Sequence, residues 1–211
     1  MKRLTSALIL LAIVLAGGCG MAIVPNPDYQ AWADFKPGSS VTFEGTLTDT
    51  SIVSSFGQEP TESTSVVSKR ITEELIEITP NQATLERTEI IFDTDGNPLG
   101  DPSVGQRIEK ADIFAADNPL TDPSAKIDRD DDELFPVEVN GVVLMCVKTD
   151  LSLVVKIPIV DLLFHEGGIT STRYTREDIP GGLVKGRQET YGPNGTQTIE
   201  GQIVDYTVVR E

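Results

Sequence analysis

Three kinds of side chain in this sequence can attack, ligate or titrate near neutral pH: one histidine, two cysteines and a dense run of carboxylates. His165 is the single histidine and adjoins Glu166. A zinc-binding helix places a second histidine four residues on, and none follows here. A nucleophilic serine of the α/β-hydrolase kind needs a Gly-x-Ser-x-Gly turn, and the chain has none. His165 therefore reads as a strand-end histidine beside a Gly167-Gly168 turn, and no catalytic residue is assigned. Cys146 lies among Val143, Leu144, Met145 and Val147. Apolar burial raises a thiol pKa and leaves it unreactive, so a packing role is expected. Asp128-Arg129-Asp130-Asp131-Asp132-Glu133 offers the hard oxygen ligands that calcium takes, with Asp128, Asp130 and Asp132 as its candidates. The spacing is not that of an EF-hand loop and the bending glycine is missing. The run reads as a solvated acidic loop and no metal is assigned. Asp93-Thr94-Asp95-Gly96-Asn97 fits a hairpin turn better than a calcium loop, because its glycine comes too early.

Cys19 is the second cysteine, and its setting is specific. Met1-Lys2-Arg3 is basic, Ala7 to Ala16 is an unbroken apolar run, and small residues follow. That is the layout of a secretory signal. The run falls short of the roughly 20 residues that span a bilayer. Leu15-Ala16-Gly17-Gly18-Cys19 resembles a bacterial lipoprotein box, with Leu15 four positions before the cysteine instead of three. The resemblance implies that the Cys19 thiol receives a diacylglyceryl group. It also implies that the chain is cut before Cys19 and that the new amino group takes a fatty acid such as palmitate. Each buried methylene contributes about 0.8 kcal/mol, and two chains suffice for stable anchoring. Gly20 in place of Asp favours the outer membrane where lipoproteins are sorted by that position. The chain then divides into a signal peptide at 1–18, a lipidated tether at 19–27 and one domain at 28–211.

Composition narrows the partners. The chain carries 33 acidic and 17 basic residues, a net charge of −16. Loss of Lys2 and Arg3 with the signal would take this to −18. Phosphates repel such a chain, so nucleic acid is excluded as a partner. An anionic membrane surface repels it too, so the lipid on Cys19 must do the anchoring. With Cys19 acylated only Cys146 remains, and no intramolecular disulfide is possible. Nothing in the motifs calls for a cofactor.

The elements follow from period and turn chemistry. Asn26-Pro27-Asp28 starts a short helix, with a capping Asn and Pro at the first helical position. Tyr29, Trp32 and Ala33 share its inner face, and Pro37-Gly38 stops it. Ser39 to Thr48 alternates apolar and polar, a half-buried strand. Gln58 to Ser63 is turn-like. Val66 to Thr79 is a long strand whose apolar parity changes near Glu73-Glu74, which predicts a bulge there. Ala83 to Phe92 is the next strand. Asp93 to Leu134, with 12 acids and four prolines, reads as an acidic insertion in which Val104 to Phe114 is ordered. Asn140-Gly141 predicts a hairpin between Phe135–Val139 and Val142–Thr149. Leu151 to Phe164 is apolar on both faces, and Pro158 in it predicts an edge, bulge or loop. Ile169–Thr175, Leu183–Tyr191 and Thr196–Val209 complete the strands.

These elements predict a mainly β domain: one curved antiparallel sheet or half-barrel with a short N-terminal helix packed on it. Trp32-Ala33-Asp34-Phe35-Lys36-Pro37-Gly38-Ser39 and Pro180-Gly181-Gly182-Leu183-Val184-Lys185 resemble paired signatures of small uncharacterised bacterial lipoproteins. The layout is distantly similar to the curved sheets of lipoprotein-localisation carriers. These resemblances imply an envelope location and a sheet fold, and they bring no activity. The expected function is a non-enzymatic envelope lipoprotein with a structural or binding role. A carrier of an acyl chain or other apolar ligand is the alternative, with Leu151, Leu153, Val155, Ile157, Leu162 and Phe164 lining its site. A hydrolase is the least favoured class. No protein partner can be read from the sequence.

Overall fold

The computed structural model describes residues 23–53, 61–114, 125–160, 163–192 and 195–210. Cys19, the signal segment and Leu162 lie outside these residues, as do the side chains of 53, 155–160 and 163–166. The elements in chain order are β1 (Ile23–Pro25), α1 (Pro27–Gln30), β2 (Ser40–Val53), β3 (Thr61–Thr79), β4 (Gln82–Phe92) and β5 (Ser103–Lys110). They continue with β6 (Asp112–Phe114), β7 (Lys126–Val139), β8 (Val142–Val160), β9 (Leu163–Thr175), β10 (Leu183–Gly192) and β11 (Gly195–Thr207).

Nine strands form one antiparallel sheet in the order β5-β4-β3-β2-β11-β10-β9-β8-β7, and β1 pairs with β6 in a small second sheet. The large sheet is not closed into a barrel. It does curl. Three strands separate edge strand β7 from β11, a span of about 19 Å in a flat sheet. Even so, the side-chain amide of Asn140, at the β7–β8 turn, donates to the Val204 carbonyl. That contact is possible only if this end of the sheet bends back over itself.

Local chemistry explains the turns. Asn140 and Gly141 have φ of 50° and 78°, the left-handed pair that a two-residue hairpin requires. The Thr79 hydroxyl accepts from the Gln82 amide at 3.2 Å and closes the β3–β4 turn. The Asn26 side chain accepts from the Asp28 amide at 3.0 Å and caps α1. The helix itself is only four residues long. Past Gln30 the chain tightens into i→i+3 turns, with Trp32 and Ala33 amides donating to the Tyr29 and Gln30 carbonyls. A spacing of three therefore turns Tyr29, Trp32 and Phe35 inward together, and all three are buried.

The core gathers at the α1 end of the sheet. Trp32 packs in one cluster with Val41, Leu75, Leu85, Ile179, Val184 and Ile203, and the curl adds Val137, Leu144 and Cys146. The segments around Trp32 and around Gly181 meet here. The Gly181 amide donates to the Ala31 carbonyl at 3.1 Å, and a side chain at Gly181 would sit 3.2 Å from the Trp32 ring. The absence of a side chain at Gly181 thus leaves room for the indole.

Several sequence expectations change. Lys126–Leu134 is strand, not loop: it forms the first part of edge strand β7. The side chains from Lys126 to Leu134 are exposed, Asp130 only partly, so the acidic run there needs no apolar alternation to be tolerated. Ile23–Pro25, assigned to the tether, pairs with Asp112–Phe114. The β3 register shift falls between Leu75 and Glu77, two residues beyond the expected bulge. Val142–Thr149 and Leu151–Phe164 are not separate elements: β8 runs unbroken for 19 residues and absorbs Pro158 in a register shift before Val160. Gly167-Gly168 is not a turn but lies within β9, and His165 pairs in register with Ile157. The reason at Gly168 is space: a Cβ there would lie 2.4 Å from the Leu153 carbonyl oxygen.

Candidate binding surface

The surface is built by unequal strand lengths. β7 follows β8 only as far as the pair Lys126↔Ser152. β10 follows β9 only as far as Tyr191↔Gly168. The β8–β9 pairing goes on past both, from Val155↔Gly167 to Val160↔Leu163. Among the described residues no strand pairs with either flank of this extension. It carries Val155, Ile157, Ile159, Val160, Leu163 and Phe164 with Lys156 and Glu166 as its charges. A two-stranded ribbon alone in water is marginal at best. Strands that do not alternate with polar residues need an apolar partner on both faces.

The sheet brings some of the expected lining together and leaves some apart. Leu151 and Leu153 sit in successive same-face positions of β8, opposite Ser171 and Ile169, and both are half-buried. The backbone pairing continues through Val155↔Gly167, Ile157↔His165 and Pro158↔Phe164. Val154, on the opposite face from Leu153, is 47% exposed. Leu162 lies outside the described residues. Where the extension leaves the sheet there is a shallow groove of about 490 Å³ over Leu151. Ile127 joins Leu151 in its lining, and Lys126, Asp128, Asp150, Thr172, Arg187 and Glu189 bring polar and charged groups to it. Sequence reasoning missed this set, because residues scattered over four strands meet only through register. The available signal was alternation of charge with apolar residues in the Lys148-to-Leu153 stretch.

The groove carboxylate Asp150 is held in place. Lys148 Nζ lies 2.7 Å from it and the Thr172 hydroxyl donates to it at 2.5 Å. Lys148 first, then Thr172, hold its carboxyl below the usual aspartate value. On β3–β5 a second charged ladder runs across the sheet. Lys69 bonds Glu89 at 2.7 Å, Arg87 spans Glu89 and Glu73, and Arg107 reaches Glu73 at 3.2 Å and Glu109 at 2.7 Å. Asn26 donates to Glu109 at 3.0 Å, tying the ladder to the helix cap. Glu73 is buried beneath the two guanidinium groups. Each charge in the ladder has an oppositely charged neighbour.

The metal candidates do not converge. Asp128 pairs in register with Asp150, Asp130 accepts from the Glu133 amide at 3.0 Å, and Asp131 binds Arg129 at 2.6 Å. Among the described residues no three His, Cys, Asp or Glu side chains are grouped to hold a metal ion. Asp93 instead accepts from the Asp95 and Asn97 amides at 2.9 and 2.8 Å, a turn closed by its own side chain. Cys146 is buried, and desolvation pushes its thiol pKa up. Among the described residues no helix is long and apolar enough to cross a membrane.

The ion pairs set an acid limit on the fold. Glu89, Asp150 and Asp178 all have lowered pKa values, caused first by Lys69, Lys148 and Arg176 respectively. A carboxyl with a lowered folded pKa stabilises the fold above its unfolded pKa and loses that contribution as pH falls through the folded value. The loss should begin below about pH 4.5 for the glutamate and 3.8 for the aspartates. Melting temperatures should therefore hold steady from pH 7 to 5 and drop below that window. Lys69→Ala should make the drop shallower. A drop already complete at pH 5.5 would assign the acid limit to other groups.

Comparison of the chain with protein-family profiles, with curated proteins and with solved structures finds no match.

Proposed function

We propose that this protein is a lipid-anchored bacterial envelope protein with a non-enzymatic binding role, and that its β8–β9 extension is the binding surface. Anchoring rests on the Cys19 box and on the acidic charge that rules out electrostatic attachment. Binding rests on one observation: apolar strands that, among the described residues, outrun their neighbours on both flanks. Backbone and side chains of such a ribbon gain by docking against an apolar partner. A second reading, a carrier for an acyl chain, is supported by the groove that opens at Leu151 beside the extension.

The two roles of the extension, binding surface or buried core, separate in one experiment. The full chain with Cys19→Ser, purified from cells, is compared with and without Ile157→Glu. A residue paired only within the β8–β9 ribbon, and not packed on the core, should change folding stability by no more than about 0.5 kcal/mol. The binding reading predicts an unchanged melting temperature with loss of a co-purified lipid or protein in native mass spectrometry. A lipid displaced by fluorescent fatty acid would single out the carrier. A large fall in melting temperature would show that the ribbon packs on the protein's own core, and the binding reading would fail.

A further inference from the structure

The two edges of the large sheet are built differently. Edge strand β7 carries Asp128, Asp130, Asp131, Asp132 and Glu133, breaks register between Asp130 and Leu134, and contains Pro136. Charge, bulge and proline are the devices that keep an edge from pairing with another chain. Edge strand β5 has neither bulge nor proline, and two of its three charges, Arg107 and Glu109, are paired with each other on one face. It pairs with β4 from Glu89↔Ser103 to Gln82↔Lys110 without a register shift, and it contains no proline. Among the described residues nothing pairs with its outer side.

The side chains of β5 sort by face. Arg107 and Glu109 point to the face of the charged ladder and are tied to Glu73 and Asn26 there. Val104, Gln106 and Ile108 alternate onto the other face. Val104 is 61% and Ile108 56% exposed, among the most exposed large apolar residues described. They flank Gln106 symmetrically.

We propose that β5 pairs antiparallel with β5 of a second copy of this chain, about a two-fold axis at Gln106. That register sets Val104 against Ile108 twice, Gln106 against itself, Gly105 against Arg107 and Ser103 against Glu109. Both exposed apolar residues gain an apolar cross-strand partner, and no like charges stand directly opposed. The two Arg107 residues become diagonal neighbours, each already neutralised by Glu73 and Glu109. In a chain of net charge −16, β5 is a margin with more basic than acidic residues: Arg107 and Lys110 against Glu109. A head-to-tail contact of β5 with β7 would grow an open filament, and the bulge and Pro136 of β7 oppose it. The self-paired edge closes at two copies.

A charge-swap pair tests the register. The full chain, in density-matched detergent, is analysed by sedimentation equilibrium as wild type, as Val104→Lys, as Ile108→Glu and as an equimolar mixture of the two variants. Wild type should be a reversible dimer, and each variant alone should self-associate about tenfold more weakly. The mixture should recover, because it sets lysine against glutamate once and Ile108 against Val104 once. Gln106→Cys should form a disulfide dimer across the axis, whereas Thr88→Cys on β4 should not. A monomeric wild type would overturn the proposal. So would a dimer that both variants leave intact, or a mixture that stays as weak as its components.

Discussion

Trp32→Ala is expected to lower the unfolding free energy by about 3–5 kcal/mol, the range for emptying a large aromatic site in a core. Trp32 is 1% exposed and is the largest fully buried side chain described. It meets Phe35 edge-on at 6.5 Å between ring centres and lies over Gly181. Neighbours fixed by the sheet on one side and Gly181 on the other leave the site little freedom to collapse. For a chain of this size each kilocalorie shifts the melting temperature by roughly 2–4 °C, so a fall of about 10 °C is expected. Far-ultraviolet circular dichroism during heating measures it. A change near zero would mean that the N-terminal turn is an appendage and not the cap of the core.

Gly45→Ala is the second large effect, with Gly105→Ala as its control. Gly186, Gly201 and Gly45 lie side by side on β10, β11 and β2. At Gly45 a Cβ would sit 2.4 Å from the Glu200 carbonyl oxygen and 2.9 Å from the Gly201 Cα. Those are backbone atoms of the neighbouring strand, so the strands must move apart. Overpacking of this kind costs about 1–3 kcal/mol. Gly105, on the open edge, would meet nothing within 4 Å. Alanine there should be neutral, or gain about 0.4–1 kcal/mol by restricting the unfolded chain. Urea titration of the two variants gives the comparison directly. Equal costs at the two sites would show that crowding between strands is not what the glycine row relieves.

Much of the sheet was legible because its signals are local. Asn140-Gly141 carries its own turn, Asn26-Pro27-Asp28 its own cap, and Val41, Phe43 and Leu47 the period of a half-buried strand. The failures are positions where distant contacts decide. Lys126–Leu134 has no strand pattern because an edge strand in water does not require one. Gly167-Gly168 looks like a turn in sequence, yet Gly168 is needed where β9 passes under the Leu153 carbonyl and the Tyr191 ring. The apolar half of the candidate surface was visible in Leu151 to Phe164 as a run of residue types. Its polar half, from Asp128 and Asp150 to Arg187, exists only once four strands are in register.

Anchoring through Cys19 is the claim on which the envelope reading stands, and intact-mass analysis of the full chain recovered from bacterial membranes tests it most directly. The predicted result is a mature N-terminus at Cys19 carrying acyl mass, and its loss from the membrane fraction in the Cys19→Ser variant. An unmodified N-terminus, at Cys19 or at any other residue, would contradict it.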